Sequence, residues 1–445
     1  MSKAQFLKVR AEIDEFSGGS LSGWFVTKDL ENSENKFTLL VDDEFAIPGK
    51  ATNYRPDLDA LGVLNGLAGF RVPLYITLLD DKKHSIKIID SDGKILARKK
   101  IKLSKTVNML YLENSILSIQ KKSFCSPSKN LVYIACYAKK KDIPKFILKL
   151  VYQLKKANYT VIFILAVDKK LEKDYINIDS IDADIAIKRK NIGYDFGSWS
   201  SAILLTRNLL FQAENVLFIN DSIIGPFFNL SNIVASFENS KGDIWGVCDS
   251  FDHRHHLQSY FFGFHKAILC SPHLDSFFLH ENPAASDRNE AVENYELSLL
   301  EYFRKNNFNY ETHLGYAELL ANFHKNASKM LSQFKVDKVN DSFYRDKNSD
   351  LSMTVQPVSY LVNTLSEIEN STPLNPSHYF SHEILEAGFP FIKKELLFKN
   401  PVNNYLIAYN QGINLDSDTN CLIEDVFIIE DAVKYPSLIN IKQKS

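Results

Sequence analysis

The chain has 445 residues, 45% hydrophobic and 24% charged, with a net charge of −2 from 52 basic and 54 acidic side chains. That length exceeds one compact core and predicts two or three domains of an ordinary soluble globular protein. The near-balance of charge excludes a general nucleic-acid binder, which carries a clear basic excess. The cysteines Cys125, Cys136, Cys248, Cys270 and Cys421 are scattered, odd in number and without a CxxC pair. That pattern argues against structural zinc and for a reducing compartment. Met1 to Arg10 has no apolar signal-peptide core, and runs such as Val161 to Val167 are too short to span a bilayer. The expected location is cytoplasmic, at most peripheral to the inner face of the membrane.

Residues 1–105 read as β-rich. Leu21 to Thr27, Lys36 to Val41, Gly69 to Leu79 and His84 to Ile89 are short runs of β-branched and aromatic residues. Turn signals such as Ser17-Gly18-Gly19 and Asp92-Gly93 separate them, which predicts a small all-β sandwich. A Lys-rich stretch, 106–130, reads as a connector.

From Leu131 the character changes. Leu131 to Ala138, Tyr159 to Val167, Ala183 to Lys188 and Asn215 to Asn220 read as buried strands. After Pro144, the residues Phe146, Ile147, Leu150, Val151 and Leu154 recur at helical spacing, and a second helix is predicted from about Gly197 to Phe211. Strands alternating with helices predict a mostly parallel sheet flanked by helices over 131–445. Such sheets bind ligands beyond the carboxyl ends of their strands. The places to look therefore follow Ala138, Lys188 and Ile219.

Four constellations stand out. Asn191-Ile192-Gly193-Tyr194-Asp195-Phe196-Gly197-Ser198-Trp199 follows a strand and opens a helix, behind Lys188, Arg189 and Lys190. Asn191, Gly193, Asp195 and Gly197 could cradle a nucleotide diphosphate at that helix start. Alternatively, Asp195 only caps the helix and the glycines only make the turn. Asn220-Asp221-Ser222 ends a strand, where Asp221 could hold Mg²⁺ or Mn²⁺ bridging two phosphates, or could sit in a plain polar turn. Asp252 to His256 brings three histidines together at a spacing that fits neither HExxH nor a zinc finger, followed by Gln258-Ser259-Tyr260. His256, Gln258 and Tyr260 suit a sugar-facing wall or ordinary core packing. Glu296, in Asn294-Tyr295-Glu296-Leu297-Ser298-Leu299, lies near the start of a helix carried by Leu297, Leu300 and Phe303. It is a candidate general base, against the commoner fate of an exposed glutamate; Glu293, one turn earlier, is the alternative.

Taken together these residues resemble the rhamnan synthesis protein F family of glycosyltransferases. The matching stretches are NIGYDFGSW (191–199), INDSIIGPF (219–227), DIWGV (243–247), HLQSYFFGF (256–264), NYELSL (294–299) and NPSHYFSHEILEAGFPFIKKELLFKNP (375–401). The resemblance implies a GT-A-like fold, a nucleotide-sugar donor and a bacterial surface polysaccharide as product. It further implies an inverting transfer with Glu296 as base, and a donor site at Asn191, Gly193, Asp195, Gly197, Asn220, Asp221 and Ser222. Asn220-Asp221-Ser222 stands where GT-A enzymes carry an Asp-x-Asp metal motif, and one acid of that motif is present. The family name implies dTDP-L-rhamnose as donor, with a polysaccharide or lipid-linked glycan as acceptor and other polysaccharide-synthesis proteins as partners. A region with Gly23-Trp24, Tyr54-Arg55-Pro56-Asp57-Leu58 and Gly69-Phe70 resembles β-domains that accompany such transferases. A non-catalytic carbohydrate-binding or assembly protein keeping the same fold is the competing reading, and a sugar phosphotransferase a third.

Overall fold

The computed structural model describes residues 10–27, 34–122, 128–281, 284–333 and 361–396. Cys125, Cys421 and the chain from 397 onward, including the end of the 375–401 stretch, lie outside the described residues. The chain divides into two compact units.

The first unit takes the chain through Asn114, together with Ile203–Asn208 and Cys270–Ala284. Its strands are β1 (Ala11–Ser17), β2 (Ser20–Phe25), β3 (Lys36–Val41), β4 (Phe45–Lys50), β5 (Asn53–Tyr54), β6 (Leu67–Pro73), β7 (Lys83–Ile89) and β8 (Ile95–Lys102). They form two antiparallel sheets, β1-β2-β6-β5 and β4-β3-β7-β8. Phe37 of the second sheet packs its ring 5.1 Å from Phe25 and 4.6 Å from Phe70 of the first, so the sheets face each other across an apolar layer. The expected run Gly69 to Leu79 is shorter as a strand, because Leu74 leaves the ladder and Ile76–Leu78 turns into a 3₁₀ helix. The later segments are tied in by an interior ion pair. Arg207 Nε lies 2.7 Å from Asp275 Oδ1, and the other carboxylate oxygen accepts from the Ile76 N–H. Both side chains are buried, and the pair satisfies groups that would otherwise be costly to desolvate.

The stretch 106–130 contains helix α1 (Val107–Glu113), capped by Thr106, and strand β9 (Ile116–Lys121). β9 belongs to the sheet of the second unit, with β10 (Asn130–Ala138), β11 (Tyr159–Val167), β12 (Ile185–Lys190), β13 (Asn215–Asn220), β15 (Ile244–Ser250), β16 (His256–Leu257), β17 (Phe261–His265) and β18 (Tyr310–Leu314). Its order is β16-β15-β17-β13-β10-β11-β12-β9, with β18 on β15. The four strands predicted from sequence form a parallel core, β13-β10-β11-β12. Both wings turn antiparallel: β9 against β12, and β17 against β13 and β15. The expectation of a mostly parallel sheet is therefore corrected to a mixed one. The reason lies in the connections. β10 reaches β11 through helix α2 (Lys145–Lys156), as parallel neighbours require, whereas β15 returns to β17 without a crossover helix. Helix α3 (Tyr194–Gln212) links β12 to β13. The two halves of the interior strands are buried on both faces, as in β11, where all nine residues are buried. Among the described residues, helices α4 (Ser231–Glu238), α5 (Leu297–Lys305), α6 (Tyr316–Gln333) and α7 (Ser381–Glu386) also belong to the unit. A small ladder joins β14 (Ile223–Ile224) to β19 (Ile392–Lys393). Among the described residues, no helix is long and apolar enough to cross a membrane.

Candidate active site

The site is mounted on aromatic rings. Tyr133 of β10, Phe218 of β13 and Phe262 of β17 stand in register as one cross-strand rung, with centroids 5.3 and 5.1 Å apart. Trp199 of α3 meets Phe218 and Phe262 edge-on, at 5.6 and 5.5 Å. Phe196 lies 4.9 Å from Trp199 and stacks at 4.9 Å on Tyr295. The stack fixes the two residues that adjoin it in sequence, Asp195 and Glu296, on one side of the unit.

The turn before α3 is built by two glycines and an arginine. Gly193 adopts φ +72° at the helix cap, a left-handed conformation that costs glycine little. A Cβ on Gly197 would stand 2.1 Å from the Ile192 carbonyl oxygen, so the chain passes itself where a side chain cannot fit. Arg189 is fully buried and donates to the Ile192 carbonyl, the Ser198 hydroxyl and the Ser115 hydroxyl at 2.7, 3.0 and 3.2 Å. Lys188 is buried too, and its ammonium donates to the carbonyls of Leu171, Glu172 and Asp174. Two of the three cations expected to greet a phosphate are thus structural. Exposed Asn191 sits at the rim, its N–H tied to the Val167 carbonyl.

Asp195 is not a helix cap: the cap makes no side-chain bond. Instead Asp195 Oδ2 accepts from Asn220 Nδ2 at 2.8 Å, which joins the helix start to the end of β13. Asn220 Oδ1 in turn accepts from the Ser222 N–H and hydroxyl at 3.1 and 2.6 Å. Asp221 Oδ2 accepts from the Tyr137 N–H at 3.2 Å, near the carboxyl end of β10, with the Cys136 thiol 3.7 Å away. Two lysines complete the group. Lys394 Nζ lies 3.7 Å from Asp221 Oδ2, and Lys393 Nζ donates to Ser222 Oγ at 3.3 Å and lies 4.6 Å above the Tyr260 ring. Burial lowers the Lys393 pKa, and the carboxylates of Glu296, Glu395 and Asp195 oppose that fall. Glu296 acts on the Tyr260 phenol as well, whose pKa burial raises first. Glu296 therefore belongs to the Asp195–Lys393 cluster, whereas Glu293 is exposed and pairs with Arg254, 3.7 Å away.

Lys393 and Lys394 are the residues that sequence reasoning missed. Their signal is a lysine pair inside an apolar run, FPFIKKELL, where the first cation ends a short strand and the second follows it. The wall residues lie deeper than expected. His256, Gln258 and Tyr260 are all buried. His256 bonds the Arg254 carbonyl at 2.7 Å and Gln258 at 3.2 Å, and Gln258 accepts from Ser377 at 2.9 Å. Tyr260 alone of the three reaches the cluster, beneath Lys393. The other histidines go elsewhere: His253 is exposed and His255 bonds Asp249 at 2.9 Å.

The donor set does not fit the expected Mg²⁺ or Mn²⁺ at Asp221. A divalent cation of this kind wants several oxygen ligands. Asp221 is already engaged by an N–H and an ammonium, Asn220 is committed on both sides, and the described residues contain no group of three or more His, Cys, Asp or Glu able to hold a metal.

Asp195 is pushed up to about 7, first by burial and then by the Asp221 carboxylate, against the pull of Lys393, Lys394 and Asn220. A carboxyl raised in the folded state contributes stability that is complete below its unfolded pKa of about 4 and is lost as pH rises through 7. Asp195→Asn removes that loss while keeping an acceptor for Asn220. The advantage of the variant over wild type should grow by about 1–3 kcal/mol between pH 5 and pH 8. Denaturant midpoints at the two pH values read it directly, and an unchanged difference would mean that Asp195 titrates as an ordinary carboxylate.

Residues 162–356 match the family model described as rhamnan synthesis protein F. Over that stretch the chain is similar to this family. The match takes in the Asn191–Trp199 turn, Asn220–Ser222 and Glu296, while the lysine pair lies beyond it. The chain is also 31% identical over 222 residues to the virulence protein VirA of Vibrio anguillarum, covering 49% of this chain and 64% of the relative. It is 27% identical over 293 residues to the protein y4gN of Sinorhizobium fredii, covering 63% of this chain and 71% of that one. The chain thus spans under two thirds of the length of the VirA relatives.

Proposed function

We propose that the chain is a nucleotide-sugar-dependent glycosyltransferase of GT-A-like architecture, acting in bacterial surface-polysaccharide synthesis by an inverting transfer. One observation carries the reading: the acids Asp195 at the α3 start, Asp221 just after β13 and Glu296 just before α5 meet the ammonium groups of Lys393 and Lys394, at and after the end of β19, beyond the carboxyl ends of a parallel core, where such sheets bind ligands. The family match supplies the polysaccharide, and its description favours L-rhamnose from dTDP-rhamnose as the sugar transferred. The acceptor is a polysaccharide or lipid-linked glycan, met on the cytoplasmic side with other proteins of the same synthesis.

In this reading Glu296 takes the proton of the acceptor hydroxyl. The new C–O bond forms at the anomeric carbon as the bond to the donor phosphate breaks, and the nucleoside diphosphate leaves with the electron pair. The protein contributes proximity and fixed charge at the leaving group. Asp221, held on the Tyr137 N–H, keeps Lys394 at the leaving diphosphate. Asp221→Ala should therefore lower turnover at least tenfold while costing about 1–2 kcal/mol of stability for the lost Tyr137 and Cys136 bonds and the Lys394 pairing. The assay supplies a panel of nucleotide sugars with a glycan acceptor and measures released nucleoside diphosphate. Turnover of the variant at the wild-type rate would remove Asp221 from the donor site, and no release by wild type from any donor would end the transferase reading.

A further inference from the structure

We propose that Lys393 and Lys394 occupy the role of a divalent cation in this site, so that the donor's diphosphate is bound and its departure stabilised by two ammonium groups without metal. The inference rests on the transferase reading and names the groups that would neutralise the diphosphate. Three observations carry it. The first is position: the Ile223–Lys393 and Ile224–Ile392 pairs lock β19 to β14, and the Lys394 N–H donates to the Ser222 carbonyl at 2.7 Å. The two ammonium groups are thereby delivered to the residues that directly follow β13. The second is preorganisation. Lys393 is held between the Ser222 hydroxyl and the Tyr260 ring, and Lys394 beside Asp221. Fixed charges of this kind need no rearrangement at the moment of reaction.

The third observation is the charge balance. The Lys394 ammonium stands 3.7 Å from Asp221, the carboxylate a metal would need, and a cation there opposes a second cation. With Lys394 set against Asp221 and Lys393 against Glu296, each ammonium offsets one carboxylate where a diphosphate would enter. Asp195, pushed up to about 7, is about half protonated at neutral pH, which lessens its repulsion of a diphosphate. A narrow cavity that reaches Asp221 and Lys394 is also lined by Lys139, Lys140 and Asp142, which follow β10.

Calorimetry of the full chain tests this with three probes: inorganic pyrophosphate, dTDP and UDP, each in EDTA and again with Mn²⁺. The expected result is binding in EDTA, weakened at least tenfold in Lys394→Gln and in Lys393→Gln, and recovered in Lys394→Arg, with thermal melts confirming that each variant is folded. Binding that requires Mn²⁺, or that Lys394→Gln leaves unchanged, overturns the inference and leaves the transferase reading standing. Absence of binding by all three probes in both conditions overturns the inference and the reading together.

Discussion

Glu296→Gln should lower the transfer rate about a hundredfold or more while leaving affinity for the nucleoside diphosphate within about twofold. A sugar hydroxyl is a poor nucleophile until its proton is taken, and a carboxylate in contact with it supplies that step. Glutamine keeps the shape and cannot accept the proton. Three features place the effect on Glu296 rather than on Glu293. Tyr295 is buried and stacked on Phe196, Leu297 and Leu300 are buried behind it, and the Glu296 charge reaches Lys393 and Tyr260. Glu293 is exposed and engaged with Arg254. Steady-state rates and calorimetry with the diphosphate separate the two quantities. A glutamine variant with normal kcat would exclude Glu296 as base, and loss of diphosphate affinity alone would make it a donor ligand instead.

Gly197→Ala should destabilise the second unit by about 2–4 kcal/mol, comparable to a severe overpacking change. The new methyl would meet a backbone oxygen at 2.1 Å, and backbone cannot rotate away as a side-chain tip can. Relief requires the Ile192 carbonyl to move, which breaks its 2.7 Å bond from Arg189 and leaves a buried guanidinium short of a partner. The same movement displaces Asp195, two residues earlier, so diphosphate affinity should fall with stability. Ser201 offers a control of similar burial: its hydroxyl bonds the Gly197 carbonyl at 2.9 Å, and Ser201→Ala removes atoms without adding any. Denaturant unfolding of both variants checks the comparison. Equal stability of Gly197→Ala and wild type would show that the turn relaxes freely.

What the sequence disclosed followed from periodicity and local chemistry. The four parallel strands were legible because strands buried on both faces read as unbroken apolar runs, as Leu131 to Ala138 and Tyr159 to Val167 do. Asp195, Asn220 and Asp221 were legible because they stand where a strand ends or a helix begins. The antiparallel wings were not, since pairing direction depends on connections: β9, half exposed, looked like part of a connector, and β17 looked like an aromatic wall. The depth of His256 and Gln258 was also hidden, because a polar residue in a loop-like sequence gives no sign of the buried Ser377 waiting to bond it. The lysine pair escaped for a related reason. Its meaning arises only when β19 meets β14, and nothing local in FPFIKKELL names Ser222 or Asp221 as its neighbours.

That last pairing has a consequence in time. Ser222 and Lys393 are 171 residues apart in the chain. At about 5–20 residues per second, translation needs roughly 10–30 s to pass from one to the other. Through that interval the nascent chain carries Asp195 and Asp221, joined partway by Glu296, without the ammonium groups that face them. The acids gather first and repel both one another and any phosphate nearby. If the two ammonium groups hold the diphosphate, ribosome-bound chains halted before Ile392 should retain no nucleotide, and full-length chains should.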